Sequence, residues 1–132
     1  MRSFQLEIVT PDGQFFSGEA EYLSLRTISG QVGIMAGHAD YLNALGMGEA
    51  RVTINGETRR AACIGGMVSV TGGKVTVVAT TFEWSDMIDL ERAKLAEDRA
   101  REARKKEDLD KTEQKLNEAR LKRALVRQSV AK

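Results

Sequence analysis

Phe4, Leu6 and Ile8 alternate with Gln5, Glu7 and Val9 at the start of the chain. A period of two predicts a half-buried strand. Pro11-Asp12-Gly13 supplies turn chemistry after it, since proline pre-sets φ and glycine accepts a positive φ. Further strands are expected over residues 14–20 and 22–27, with Leu23 and Leu25 on one face. Residues 30–39 hold Gly30, Gly33 and Gly37 and are expected to form a shaped loop rather than a strand. Residues 48–54 and 57–64 flank Asn55-Gly56, the strongest short hairpin signal, because both central positions of a type I′ turn need φ > 0. Residues 67–71 and 74–80 flank Gly72-Gly73 and predict a second tight hairpin. Many short strands with frequent turns predict a sandwich or barrel, ending near Phe82.

The period then changes. Ala93, Ala96, Ala100 and Ala103 recur at helical spacing, with Leu95 beside them. Ser85 or Asp86 is a candidate cap, with Asp89 and Glu91 favourable in the first turn. Lys105 and Lys106 suit a helix C-terminus, and Asp108 or Asp110 suits the next N-cap. A second helix is expected to bury Leu116, Ala119, Arg123, Val126 and Val130, flanked by Leu121, Ala124 and Leu125. Two helices joined by a short polar turn predict an antiparallel hairpin. An alanine stripe lets the helices approach closely but buries little area, so the hairpin is expected to be marginally stable.

Composition divides the chain at the same place. All 12 glycines lie between Gly13 and Gly73, and the one proline is Pro11. Of the 39 charged side chains, 13 precede residue 83 and 26 follow in the last 50 positions. The expected organisation is therefore an all-β unit over residues 1–82 and a helical hairpin over 83–132. The net charge of +1, spread evenly, lacks the basic excess of a nucleic-acid binder. No segment approaches the roughly 18 apolar residues needed to span a bilayer, and the N-terminus lacks a signal peptide's apolar core. A soluble chain is expected, reaching a membrane only through a partner. Lone Cys63 excludes an intramolecular disulfide, points weakly to a reducing compartment and is expected to be buried and inert. His38 has no second histidine or nearby cysteine with which to hold a metal. There is no G-x-x-x-x-G-K-[ST] phosphate loop.

Hairpin geometry concentrates charge. A turn centred near residue 108 brings residues whose numbers sum to about 216 face to face. Asp89 and Arg92 then meet Arg123 and Arg127 at the open end. Arg99 lies seven residues after Arg92 on the same face. Two readings follow. In one, the arginines form ordinary ion pairs on a solvated surface, each contributing about 0–1 kcal/mol. In the other, the excess guanidinium groups hold a polyphosphate bidentately, with the carboxylates facing a ribose or base edge.

Several short stretches, in order, carry a resemblance over nearly the whole chain. They are Leu6-Glu7-Ile8-Val9-Thr10-Pro11-Asp12-Gly13, Phe16-Ser17-Gly18-Glu19-Ala20, Gly33-Ile34-Met35-Ala36-Gly37-His38-Ala39, Gly65-Gly66-Met67-Val68 and Ile88-Asp89-Leu90-Glu91-Arg92-Ala93. Together they resemble the epsilon subunit of bacterial F-type ATP synthase. The resemblance implies a β-sandwich of about ten strands followed by a two-helix hairpin. It implies a non-catalytic rotor subunit whose sandwich clasps the gamma subunit and sits on the c-ring, at the cytoplasmic face of the cell membrane. The helical tail would lie folded, or extend toward the alpha and beta subunits and inhibit ATP hydrolysis. In several members ATP is a regulatory ligand that holds the tail folded, and no metal requirement is evident here. The family's I/L-D-x-x-R-A signature matches Ile88 to Ala93, naming Ile88, Asp89, Arg92 and Ala93. Glu83, Arg99, Arg123 and Arg127 are the accompanying counterparts. Partner contacts are expected at Gln31, His38 and Asp40. Where the family usually has His-Ala-Pro-Leu, this chain has His38-Ala39-Asp40-Tyr41. The alternatives are a purely structural coupling subunit and an unrelated β-domain adaptor with a helical dimerisation tail.

Overall fold

The computed structural model describes residues 2–106 and 110–131. The chain divides into two units, Met1–Trp84 and Ser85–Lys132. The first holds eight strands: β1 Phe4–Thr10, β2 Gly13–Ala20, β3 Tyr22–Thr27, β4 Gly30–Ile34, β5 Tyr41–Ala44, β6 Met47–Ile54, β7 Glu57–Thr71 and β8 Lys74–Trp84. They run β2-β1-β8-β7-β6-β3-β4, with β5 on the free side of β7. Neighbours pair antiparallel except β1 and β8, which are parallel.

Two strands serve both layers of the sandwich. The first part of β7 pairs with β6, from Ile64 opposite Met47 to Glu57 opposite Ile54. Its last part pairs with β5, from Met67 opposite Ala44 to Val70 opposite Tyr41. Strand β8 follows it, pairing with β1 only through Val75–Val78 positions. Counting the halves of β7 and β8 separately turns eight strands into the ten of the sequence expectation. The crossing point is Gly65-Gly66, both at positive φ. A Cβ on Gly66 would lie 1.9 Å from the Val78 carbonyl oxygen, so no larger residue fits. The sequence broke the strand at these glycines; the chain instead continues through them and bends.

A second correction concerns residues 30–39. Gly30–Ile34 is a strand, paired with β3 from Thr27–Gly30 to Leu23–Ile34, and the loop is confined to the residues after it. Gly33 is not a break, because the Tyr22 hydroxyl occupies the place of its missing side chain, 2.7 Å from an ideal Cβ. The Asn55-Gly56 and Gly72-Gly73 turns have positive φ at both positions, as type I′ chemistry requires. Inward residues Leu6, Ile8, Leu23, Leu25, Ile34, Val52, Val68, Val70, Val75 and Val77 are fully buried. Phe82 and Trp84 close one end of this core, with Phe15 edge-on to Phe82 at 5.3 Å and the Arg59 guanidinium 4.0 Å over the Trp84 ring.

The second unit has a 3₁₀ turn, Ser85–Met87, then α1 Leu90–Arg104 and α2 Lys111–Val130. Asp89 is the N-cap of α1, in place of the expected Ser85 or Asp86; those residues belong to the 3₁₀ turn. Asp110 caps α2, accepting the Glu113 N–H at 2.8 Å; Asp108 and the turn centre lie outside the described residues. Ala93 and Ala100 are buried and Ala96 and Ala103 half-buried, as the alanine stripe predicts. On α2 the expected face is rotated. Asn117, Leu121, Ala124 and Val130 are buried, whereas Leu116 is 51% exposed and Leu125 is exposed. The apolar pattern misled because the residue nearest the turn on the buried face is polar.

Candidate functional site

The helical candidates are set by the start of α1 and the register of α2. Asp89 Oδ1 accepts the Arg92 N–H at 3.1 Å, so the aspartate and arginine of the signature are joined first by a helix cap. Ala93 follows on the buried face. Asn117 Nδ2 donates to the Ala100 carbonyl at 2.7 Å, and Gln128 Nε2 donates to Glu97 Oε1 at 2.8 Å. The first pair sums to 217. The second sums to 225, because long side chains lean toward their own N-termini and meet between their Cα levels. The register therefore sets Arg92 level with the Arg123–Arg127 turn of α2, within a residue of the sequence expectation.

Arg92 is exposed, and Arg123 and Arg127 are half-buried. Among the described residues no ion pair involves Arg92, Arg99 or Arg123. Their guanidinium forks therefore suit an outside anion. Arg99 lies two turns further along α1, beside a shallow groove lined also by Asp98, Glu102 and Ala103. Ile88 is half-buried immediately before the cap. Glu83 lies in β8, opposite Ala62, and belongs to the sandwich unit. Below Arg92, Glu97 receives hydrogen bonds from Gln128 and from Arg101 at 2.7 Å, which hold its carboxyl below the ordinary value.

The loop candidates lie in the sandwich unit, and His38 and Asp40 each make a local tie there. Gln31 is exposed on β4. His38 Nδ1 lies 2.7 Å from the Ala39 carbonyl oxygen and so carries the hydrogen, and its ring stands edge-on to Tyr41. Asp40 Oδ1 accepts the Gly72 N–H at 3.0 Å, tying this loop to the β7–β8 turn. The Tyr41 hydroxyl accepts from Asn43 Nδ2 at 2.9 Å, and the same amide reaches Ser29 Oγ at 3.2 Å. Asp40 and Tyr41 thus supply polar ties where a proline-leucine pair would supply rigidity and apolar surface. Ile28 and Met35 stand exposed on either side of β4.

One surface escaped the sequence reading. Val9, Val78, Met67 and Ala44 lie side by side across β1, β8, β7 and β5. Val78 is 51% exposed, Met67 46% and nearby Leu42 67%. The available signal was the consecutive run Val77-Val78-Ala79: a strand apolar at successive residues has apolar groups on both faces. An exposed apolar patch on a sheet marks a surface for a partner. Elsewhere, Glu49 sits between Arg51 and Arg60, each 2.6 Å away. Burial opposes its ionisation, but the two hydrogen bonds prevail and lower its pKa. Cys63 is buried, which pushes its thiol up to about 12. Among the described residues no group of three His, Cys, Asp or Glu is arranged to hold a metal ion, and no helix is long and apolar enough to cross a membrane.

Comparison with known proteins agrees with this architecture. Residues 3–85 match the family described as ATP synthase, Delta/Epsilon chain, beta-sandwich domain. The chain is 42% identical over 132 residues to an ATP synthase epsilon chain of Ruminococcus albus, covering 99% of this chain and 98% of that one. It is 39% identical over 131 residues to that of Caldicellulosiruptor bescii, covering 99% and 95%. A chain in a Euglena gracilis mitochondrial ATP synthase assembly of OSCP, F1 and c-ring superposes with TM-score 0.79 at 22% identity, covering 91% of this chain and 76% of that one. At that identity the likeness shows the fold.

Proposed function

This chain belongs to the ATP synthase epsilon-subunit family, and from that premise we propose that it is a non-catalytic rotor subunit of the central stalk with an ATP-sensing tail. The sandwich clasps the gamma subunit and sits on the c-ring at the cytoplasmic face of the membrane. The apolar row Val9–Val78–Met67–Ala44 supports a docking face for gamma. The Ile28, Gln31, His38 and Asp40 region supports a second contact, with the c-ring. The Euglena assembly, whose chain shares the fold, contains both F1 and a c-ring.

The observation that carries the sensing reading is the register at the open end of the hairpin. Arg92 stands opposite the turn of α2 that carries Arg123 and Arg127, and no carboxylate pairs with Arg92 or Arg123 among the described residues. In the folded tail they hold the phosphates of ATP, and Asp89, with Oδ1 in the cap, offers Oδ2 to a ribose hydroxyl. Ile88, Ala93 and Arg99 complete the set on the hairpin. A nucleotide bound only to the folded hairpin stabilises it by RT ln(1 + [L]/Kd), roughly 2.7 kcal/mol at a hundredfold excess. When ATP falls, the tail extends toward the alpha and beta subunits and inhibits hydrolysis.

A second reading is a purely structural coupling subunit. It is favoured by the fact that Asp89 as cap and Ala93 as close-packing residue have complete structural roles without a ligand. Calorimetric titration of the full chain with ATP separates the two. Saturable one-site binding, weakened in Arg92→Ala and Arg127→Ala, supports the sensor. No heat at millimolar ATP leaves the coupling subunit and removes the sensor.

A further inference from the structure

The interface between α1 and α2 contains one polar side chain among the buried described residues, Asn117, which is 4% exposed. Its amide is half satisfied. Nδ2 donates to the Ala100 carbonyl at 2.7 Å, while Oδ1 is fully buried and has no hydrogen-bond partner. Around it the interface is made of small groups, Ala93, Ala100 and Ala124, with Leu121 the larger side chain one turn along α2. A buried acceptor without a donor loses its water and receives nothing in exchange. In an interface that buries so little apolar area, that cost is a large share of the total.

We propose that Asn117 is a release device for the hairpin: it pins one register in the closed state and keeps that state close to opening. The pin is the single donation to Ala100, which a helix slipped along its neighbour cannot make at the same place. A lone buried asparagine sets register in helical pairs at a cost in stability by the same logic. The release is the orphaned oxygen, which regains water when the helices part. Ala100 is a helical residue four before Arg104, so its carbonyl keeps an intrahelical partner after opening or after replacement of Asn117. This inference rests on the reading that the tail opens in the working complex.

Hydrogen exchange on the full 132-residue chain tests it, comparing wild type with Asn117→Leu and Asn117→Asp. Leucine approximates the branched shape without polar atoms, and amides near Leu121 and Ala124 should exchange about tenfold more slowly. Aspartate cannot donate to Ala100 when ionised and should speed exchange about tenfold. Equal or faster exchange in Asn117→Leu, with helical content retained, overturns the proposal. Should leucine overfill the site and abolish the hairpin, Asn117→Ala decides by the same sign. Reconstituted enzyme then separates this inference from the one beneath it. Slower exchange with unchanged inhibition at low ATP keeps the device and removes the opening tail. Unchanged exchange removes the device, whatever the inhibition does.

Discussion

The sandwich and the hairpin bury different kinds of side chain. In the sandwich, Leu6, Ile8, Leu23, Leu25 and Ile34 are wholly removed from water, and each such burial contributes about 1.5–3 kcal/mol. In the hairpin, Ala93, Ala100 and Ala124 each remove little more than a methyl, at about 0.8 kcal/mol per carbon, beside two larger buried side chains, Leu121 and Val130. The sandwich is also cross-tied over long sequence distances, as where β1 pairs with β8. Across the hairpin, Asn117 and Gln128 donate to α1, and the Asn117 amide leaves its oxygen orphaned. On the proposed function, the first construction suits a part that grips its neighbours, and the second suits a part that changes state, because opening must cost little enough for a ligand to decide it.

The largest expected effect strikes the sandwich. Gly66→Val places a side chain into the Val78 carbonyl and should cost more than about 4 kcal/mol, enough to unfold the unit. Alkylation of Cys63 reads this directly, because the buried thiol reacts only when the sandwich opens. Labelling as slow as in wild type would contradict the bend at Gly65-Gly66. Next, Ala100→Leu overfills the helical interface and should cost about 1–3 kcal/mol there. Exchange across α1 and α2 should accelerate while Cys63 labelling holds steady. Equal shifts in both readouts would dissolve the contrast between the units.

A smaller effect is expected at the cap. Asp89→Ala removes the acceptor for the Arg92 N–H and should cost about 1 kcal/mol, seen as faster exchange in the first turn of α1. Nucleotide affinity should fall further than that fraying explains if the carboxylate also holds a ribose. The smallest effect is a pH dependence. The carboxyl of Glu97 is lowered by Gln128 and Arg101, so its stabilisation is present above the ordinary carboxylate range and is lost as pH falls through its folded pKa. Gln128→Ala should raise the Glu97 pKa toward its ordinary value in an NMR titration. No movement would mean that the hydrogen bond between α1 and α2 is not maintained in solution.

Period and turn chemistry made much of this legible. The Asn55-Gly56 and Gly72-Gly73 hairpins and the alanine face of α1 follow from local rules. The misses have a common origin. Gly30–Ile34 looked like a loop because nothing in the sequence says that Tyr22 covers Gly33. The bend at Gly65-Gly66 looked like a strand end because glycine marks both breaks and close crossings. Nothing in the sequence singles out Asn117, because polarity is the ordinary sign of exposure, and a buried amide is recognised by what surrounds it.

By itself the sequence determined that an all-β unit is followed by a charged helical hairpin, and which signature residues open the first helix. It could do so because turns, caps and amphipathic faces depend on neighbours a few positions apart. The tertiary structure decided that β7 and β8 cross between layers, that Val9, Val78, Met67 and Ala44 form one apolar row, and that Asn117 faces Ala100. Those facts depend on residues distant in the chain meeting in space, and only closure of the sheet and the register of the helices bring them together.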